Sequence, residues 1–576
     1  MTTPTIPNRN YLWTRLFVEE LHRNGLQAVC IAPGSRSTPL AIAFFEHPAI
    51  QSFIHLDERS AAFAALGMAQ TWEIPVAVIC TSGTAAANFF PAVVEAYQNQ
   101  IPLLVLTTDR PHEVRYSGAN QTIDQIKIYG DYALWSVDAP LPEENPSVLT
   151  VRSLRTLAAR AYHTANGLVK GPVHINFPFR PPLEPVPVAA DHTEAFEGIN
   201  VPGPLVNMAR GQLRLPDDRL DYLAGVIQHN PNGIIIAGPR TPPNLQPALV
   251  ELAQKSGYPI LAEPLSNVRF GADTDAPVFG AYENFALPPN PGVILQFGKV
   301  PTSKVLNTWL DGIKPAYRIM FGDVWADDTH RLTEFYQTDP VLACRDISAR
   351  LTARADTTWL ADFRAKEAAV WERIERNLGD FDGAVVHDVI ELMPDYSTLF
   401  VGNSLPVRHV EEFGRPSGKH IKVLGNRGAS GIDGVVSSAI GAAIASQSPT
   451  VLLIGDISFY HDMNGLLALM QTRYPQNLKI VLLNNDGGGI FRRLPIAGFE
   501  PPFEELFITR HGLDFAHAAN LYGLPYTCIE NANRAAFREA FLQSWQHDHP
   551  CIIEFQSDSR QDMERRQALK KLLKGK

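Results

Sequence analysis

The chain has 576 residues, 45% of them hydrophobic, and 50 Lys+Arg against 60 Asp+Glu give a formal charge of −10. That length builds several cores, roughly three or four domains at about 150 residues each. The negative balance, with no basic block before the tail from Lys570 to Lys576, argues against nucleic acid and anionic membrane as partners. Acidic substrates would have to be held by a few local cations.

The N-terminus, MTTPTIPNRN, lacks a signal pattern, and no run approaches the ~18 apolar residues of a membrane span. Cys30, Cys80, Cys344, Cys528 and Cys551 show no CxxC spacing, and Cys30 and Cys80 fall in apolar runs; reduced, buried thiols and a cytoplasmic location are expected. Leu12, Leu16, Phe17 and Leu21 have helical spacing that stops at Gly25, before a strand from Ala28 to Ala32. The pattern repeats with strands at Val76 to Cys80 and Leu103 to Thr107, each followed by a polar or glycine-containing loop. Short buried strands alternating with helices predict parallel α/β sheets with ligand loops at the strands' C-terminal ends.

Pro181, Pro182 and Pro185 mark a linker, after which strands are expected at Gly233 to Ala237, Pro259 to Ala262 and Gly292 to Phe297. Charged helical sequence from Leu351 to Leu378 connects to further strands at Thr398 to Val401, Ile421 to Leu424, Thr450 to Ile454 and Lys479 to Asn484. The fold class is α/β, with three doubly wound domains of mainly parallel sheet: residues 1–188, a central domain 189–355, a helical connector 356–382 and a last domain 383–576.

The strand Val451 to Ile454 delivers Gly455-Asp456-Ile457-Ser458 to a turn before a helical stretch from Asp462 to Thr472, whose N-terminus could seat a diphosphate. A second strand delivers Asn484-Asn485-Asp486-Gly487-Gly488. The Asp456 carboxylate, the Asn485 amide oxygen and the Gly487 carbonyl are hard ligands that suit Mg²⁺. In the first domain Ile54-His55-Leu56-Asp57-Glu58-Arg59 ends a short strand and precedes an Ala-rich helix. Glu58 there is a helix-terminal charge on its own chemistry, with Asp57 its rival and His55 either a core residue or a proton shuttle.

The paired Gly-Asp and Asn-Asn segments resemble the GD(G)…NN motif of thiamine-diphosphate enzymes, Ile457 standing where the third Gly is usual. The resemblance implies a pyrimidine-binding first domain, a diphosphate-binding last domain, and Glu58 as the catalytic glutamate that hydrogen-bonds the aminopyrimidine. It also implies that the cofactor is bent over Ile432 of Gly431-Ile432-Asp433 and contacted by Thr81, Ser404, Gly455, Asp456, Ile457, Ser458, Asn485, Gly487, Ile490 and Phe491, with Mg²⁺ or Mn²⁺ on Asp456, Asn485 and Gly487.

Ala32-Pro33-Gly34-Ser35-Arg36-Ser37-Thr38-Pro39, Thr107-Thr108-Asp109-Arg110-Pro111, Gly118-Ala119-Asn120-Gln121, Gly402-Asn403-Ser404-Leu405-Pro406-Val407-Arg408 and Asn426-Arg427-Gly428 narrow the resemblance. They are similar to the 2-succinyl-5-enolpyruvyl-6-hydroxy-3-cyclohexene-1-carboxylate (SEPHCHC) synthases, the MenD family of menaquinone and phylloquinone biosynthesis. The implied reaction decarboxylates 2-oxoglutarate and adds the four-carbon fragment to isochorismate. Ser404, Arg408 and Arg427 would hold the distal carboxylate of 2-oxoglutarate; Ser35, Arg36, Arg110, Asn120, Gln121 and Lys304 would face isochorismate. Arginines suit such carboxylates. Thr302-Ser303-Lys304-Val305 keeps only the first member of the family's basic pair. Family members join the first and last domains across a subunit interface, so the resemblance implies at least a homodimer for this chain, with a tetramer as the alternative. The nearest rival is another thiamine-diphosphate 2-oxoacid decarboxylase or carboligase; a dinucleotide-binding protein is opposed by the absence of GxGxxG at a strand-to-helix turn.

Overall fold

A computed structural model describes residues 6–191, 203–356, 358–471, 474–475 and 477–573. The first five residues, the Thr472 end of the expected helix and the Lys576 end of the basic tail lie outside them. The chain forms two compact units, residues 1–210 with 426–447 and 461–475, and residues 211–425 with 448–460 and 476–576.

In the first unit β1 (Ala28–Ile31), β2 (Gln51–Ile54), β3 (Val76–Cys80), β4 (Leu103–Asp109), β5 (Trp135–Asp138) and β6 (Pro172–Pro178) form one sheet in the order β2-β1-β3-β4-β6-β5. All of its pairs are parallel. Strands β1, β3, β4 and β6 are buried along their whole length, as a parallel sheet covered on both faces requires. The expected first helix runs Arg9–Arg23, capped by the Asn8 side chain, which accepts from the N–H groups of Asn10 and Tyr11. Its Leu12, Phe17 and Leu21 pack with Val29, Ile31, Leu104 and Ile175, each contributing about 1.5–3 kcal/mol by burial.

Helix Glu58–Trp72 of this unit packs against helix Val435–Ser446. Both are rich in small residues, and the backbones approach so closely that a Cβ on Gly67 would lie 2.0 Å from the Ser438 carbonyl oxygen and one on Gly441 2.0 Å from that of Ala64. Residues 461–475 pack here too. The α-helix expected from Asp462 to Thr472 is not formed: an α-helix occupies Asp456–Asp462 and a 3₁₀ segment follows over Met463–Met470. The physical reason is local. The Asp462 carboxylate is taken by the Ser437 N–H (2.7 Å) and hydroxyl, and a Cβ on Gly465 would sit 2.4 Å from Ser437 Oγ, so the chain is drawn against Ser437 too tightly for a regular α-helical side-chain face.

The second unit holds two more sheets. β7 (Gly233–Ala237), β8 (Ile260–Ala262), β9 (Val278–Phe279), β10 (Val293–Phe297), β11 (Tyr317–Gly322) and β12 (Glu334–Gln337) are ordered β12-β11-β10-β7-β8-β9. β13 (Ser397–Val401), β14 (Ile421–Leu424), β15 (Thr450–Gly455), β16 (Leu478–Asn484), β17 (Tyr526–Ile529) and β18 (Cys551–Gln556) are ordered β14-β13-β15-β16-β18-β17, again all parallel. The expected three parallel α/β sheets are therefore present. The connector helix begins at Thr358 and ends at Asn377. Residues 352–356 stay non-helical because Arg354 is tied to the carbonyls of Ser256 and Ile227 (2.8 and 2.7 Å). All five cysteines are free, and Cys30 and Cys80 are buried in β1 and β3. No helix among the described residues is long and apolar enough to cross a membrane.

Candidate active site

In the first and the last sheet strand order reverses at the strand that comes first in the chain, β1 and β13, and ligand loops are expected at the C-terminal ends of the strands flanking that point. In the first unit these ends carry Ser35 and Arg36 after β1, Glu58 after β2, Thr81 after β3 and Arg110 after β4. In the last sheet they carry Ser404 after β13, Asp456 after β15 and Asn485 after β16.

Asp57 is the N-cap of helix Glu58–Trp72: its carboxylate accepts the Ser60 N–H (3.2 Å) and the Asn464 amide. Glu58, the first helical residue, makes no hydrogen bond or ion pair among the described residues. Of the two rival carboxylates, then, Asp57 is spent on the backbone and Glu58 is available. Glu58 borders a cavity of about 440 Å³ lined also by His55, Asp57, Asn88, Asn464 and Gln471. His55 is buried against the Tyr474 ring (5.6 Å between centroids), and burial pushes its imidazole down to about 4, with Asp57 opposing. A base that weak is neutral at physiological pH, the behaviour of a core histidine rather than a shuttle.

Around the β1 and β3 ends the backbone is tightly fitted: a Cβ on Gly34 would lie 2.3 Å from Thr81 Cβ, and the Arg36 N–H donates to Thr81 Oγ1 (3.3 Å). Arg36 Nη1 donates to the Phe179 carbonyl (2.8 Å); burial, then the neighbouring Arg110 charge, lowers its basicity, against Asp109. Ser82 gathers the next two candidates. Its hydroxyl accepts from Arg110 Nη1 and donates to the Gln121 carbonyl (3.0 Å), and its carbonyl accepts from Gln121 Nε2 (2.9 Å). The structure thus brings Arg36, Thr81, Arg110 and Gln121 onto neighbouring loops, with Ser35 and Asn120 exposed beside them. Also in this unit, the loop bearing Arg427 is anchored by Glu95, whose two carboxylate oxygens accept the N–H groups of Gly428 and Ala429 at 2.7 Å each; Ile432 follows half-buried. Glu95 escaped the sequence reading because it lies far from that loop in the chain.

In the second unit Ser404 (φ 70°) precedes helix Leu405–Phe413, and Arg408 Nη1 reaches back to its carbonyl at 2.6 Å. Lys304, the first residue of helix Lys304–Gly312, and Val305 are exposed. Asp456 is the first residue of its short helix rather than part of a loop. Its Oδ2 accepts the N–H groups of Asn485 (3.1 Å) and Gly487 (2.9 Å), and its Oδ1 that of Ile457 (2.7 Å). Gly487 is required here: φ is 136°, and a Cβ would meet the Ile508 carbonyl oxygen at 2.1 Å. Ile490 and Phe491 follow in the turn Gly489–Arg493, the Phe491 ring 5.4 Å from Phe507. His511, absent from the sequence reading, has Nε2 3.3 Å from the Asp456 carboxylate, whose proximity raises the imidazole's basicity above the ordinary value.

This set fits a divalent cation and a diphosphate. Asn485 Oδ1 is a buried acceptor with no hydrogen-bond partner, the state of an oxygen that coordinates a cation. A Cβ built on Gly455 meets nothing within 4 Å, which leaves room beside the half-buried Ile457 and the buried Ser458.

Residues 13–128 match the thiamine pyrophosphate enzyme N-terminal TPP binding domain and residues 416–555 the corresponding C-terminal TPP binding domain. The chain is 50% identical to the SEPHCHC synthase of Roseiflexus castenholzii over 98% of both chains, and 40% identical to that of Haloquadratum walsbyi over 96% of both. The chain belongs to the SEPHCHC synthase family. A relative in Geobacillus kaustophilus is 42% identical over 94% of both chains. The fold is shared more widely. The thiamine diphosphate-dependent 4-hydroxybenzoylformate decarboxylase of Rhodococcus jostii RHA1 superposes with a TM-score of 0.70 at 18% identity, covering 95% of this chain and 99% of that one. Benzoylformate decarboxylase of Polynucleobacter necessarius gives 0.69 at 17%, covering 95% and 98%. The family resemblance seen in the motifs is borne out, and the cofactor is thiamine diphosphate.

Proposed function

We propose that the chain decarboxylates 2-oxoglutarate and joins the remaining four-carbon fragment to the ring of isochorismate by 1,4-addition. The products are SEPHCHC and CO₂, a step of menaquinone or phylloquinone biosynthesis. The observation that carries the site assignment in the second unit is Asp456 beside the orphaned Asn485 oxygen, and in the first unit Glu58, without a hydrogen bond or ion pair among the described residues, supports the catalytic role.

When bound, thiamine diphosphate supplies a nucleophilic carbon for the ketone of 2-oxoglutarate and takes up the electrons released with CO₂. Glu58 holds the proton exchanged with the aminopyrimidine. Asp456, Asn485 and the Gly487 carbonyl would hold Mg²⁺ or Mn²⁺, which would supply positive charge for the diphosphate. Thr81, Ile432, Ser404, Gly455, Ile457, Ser458, Ile490 and Phe491 complete the cofactor's seat. Ser404, Arg408 and Arg427 bind the distal carboxylate of 2-oxoglutarate. Ser35, Arg36, Arg110, Asn120, Gln121 and Lys304 face isochorismate, with Ser82 orienting two of them. The working form is a cytoplasmic homodimer or a tetramer built from it, and the domains are 1–188, 189–355 and 383–576 around the connector 356–382.

The deciding experiment is Glu58→Gln. It should keep Mg²⁺ and thiamine diphosphate binding while slowing exchange of the cofactor's C2 proton by roughly 10²–10⁴-fold. Exchange at the unmodified rate would sink the assignment. Omitting 2-oxoglutarate, isochorismate, cofactor or metal in turn, with CO₂ and adduct followed separately, tests the substrates: CO₂ release from pyruvate without isochorismate would favour another decarboxylase.

A further inference from the structure

We propose that Glu554, on β18, is a positioning residue for the divalent metal: a buried anion that strengthens the site through Asn484 without touching the ion. The inference rests on the assignment of the metal to Asp456, Asn485 and Gly487.

Glu554 has no exposed surface, and three donors converge on it. Oε1 accepts from Asn484 Nδ2 and Gln556 Nε2, both at 2.8 Å, and Oε2 from the Tyr526 hydroxyl at 2.6 Å. In all three contacts the carboxylate is the acceptor. Burial and the Glu554 acceptor raise the Tyr526 phenol well above its ordinary value, which keeps it a donor. Among the described residues no Lys, Arg or His lies within ion-pair distance of Glu554; the nearest cationic influence is His511, whose basicity Glu554 helps to raise from further off. A fully buried carboxylate with no cation in direct contact is expensive, and proteins retain one where nearby positive charge compensates it.

The connection to the metal runs through the first Asn of the Asn-Asn pair. The Asn484 side chain donates to Glu554 and, with Oδ1, accepts the Asp486 N–H at 3.0 Å, while its carbonyl accepts the Ser557 N–H at 2.9 Å. Those bonds fix the turn in which Asp486 has φ 58° and Gly487 φ 136°. That turn presents the unpartnered Asn485 Oδ1 and sends the Gly487 N–H to Asp456. Asn484 is thus no ligand. It is the link by which a buried negative charge both holds the ligand turn and, at one residue's remove, favours a cation there; such outer partners typically alter metal affinity about 10- to 100-fold.

The test measures Mg²⁺ binding to the full chain with thiamine diphosphate, by tryptophan fluorescence, and the unfolding temperature without metal. Glu554→Gln keeps the shape and removes the charge. It should unfold without metal at the same or a higher temperature and bind Mg²⁺ about 10- to 100-fold more weakly. Tyr526→Phe removes one donor but keeps the charge, and its Mg²⁺ affinity should stay within about threefold of the unmodified chain. The proposal is overturned if E554Q fails to fold, if it folds with unchanged Mg²⁺ affinity, or if Y526F loses as much affinity as E554Q. Asp456→Asn separates this from the site assignment. If D456N keeps Mg²⁺, the metal assignment falls and the inference with it; if D456N loses Mg²⁺ while E554Q does not, the inference alone falls.

Discussion

Arg408 holds the Ser404 carbonyl one helical turn behind it, in a backbone conformation (φ 70°) that few side-chain-bearing residues adopt. Strain of that kind persists where a site over-determines it, and the guanidinium so placed can exchange a neutral acceptor for a carboxylate, a stronger partner. Arg408→Ala should raise the KM for 2-oxoglutarate roughly 10- to 100-fold, with the KM for isochorismate little changed; equal saturation curves for the variant and the unmodified chain would place this arginine elsewhere. His55 yields a prediction of a different sort. Unfolded, its imidazole takes a proton near the ordinary value of 6.5; folded, it resists until about 4. Between those values the unfolded chain binds more protons, so stability should be level above about pH 6.5 and fall as pH drops towards 4. His55→Asn should flatten that fall in unfolding temperature and leave the pH profile of kcat/KM above 6.5 unchanged, whereas a displaced profile would restore the proton-shuttle role.

The contact between helices Glu58–Trp72 and Val435–Ser446 places carbonyl oxygens where Cβ atoms of Gly67 and Gly441 would be. Gly441→Ala must push the helices apart, at about 1–3 kcal/mol for an overpacked site, so the unfolding temperature should drop by several degrees, at roughly 2–4 °C per kcal/mol. Because Glu58 begins one of these helices, cofactor affinity should fall too; an unchanged melting curve would mean that the contact yields freely. Elements of this kind were only partly legible in the sequence. Strands such as Val451–Ile454 and Leu103–Leu106 could be found because burial on both faces makes them continuous apolar runs. β5, β12 and β17, half-exposed edge strands of mixed composition, were not, nor was the two-residue β9; the buried β6, β11 and β18 were missed too, because His174 and Asn176, Arg318, and Glu554 interrupt their apolar runs. The helix expected at Asp462–Thr472 failed because local periodicity carries no trace of Ser437, the distant residue that captures Asp462 and crowds Gly465.

At the scale of the molecule, the strand-end loops were legible since each couples an apolar run to a glycine-bearing polar segment, and family motifs gave them roles. Residues that act by holding those loops, namely Ser82, Glu95, His511 and Glu554, were not, because each meets a partner far away in the chain, which local pattern does not reveal. The net charge of −10 bears on all of them together. The proposed substrates are dianions, so the long-range field would repel what the proposed contacts Arg36, Arg110, Arg408 and Arg427 would attract at short range. Salt distinguishes the two effects, because screening acts over about 30 Å at 0.01 M and about 10 Å at 0.1 M, while partly buried pairs are screened much less. Raising ionic strength across that interval should therefore remove the repulsion before it weakens the arginine contacts, and kcat/KM for both substrates should rise. A fall in kcat/KM over the same interval would mean that the local basic loops already dominate the field at a distance, and that substrates are steered in by charge rather than captured after a neutral encounter.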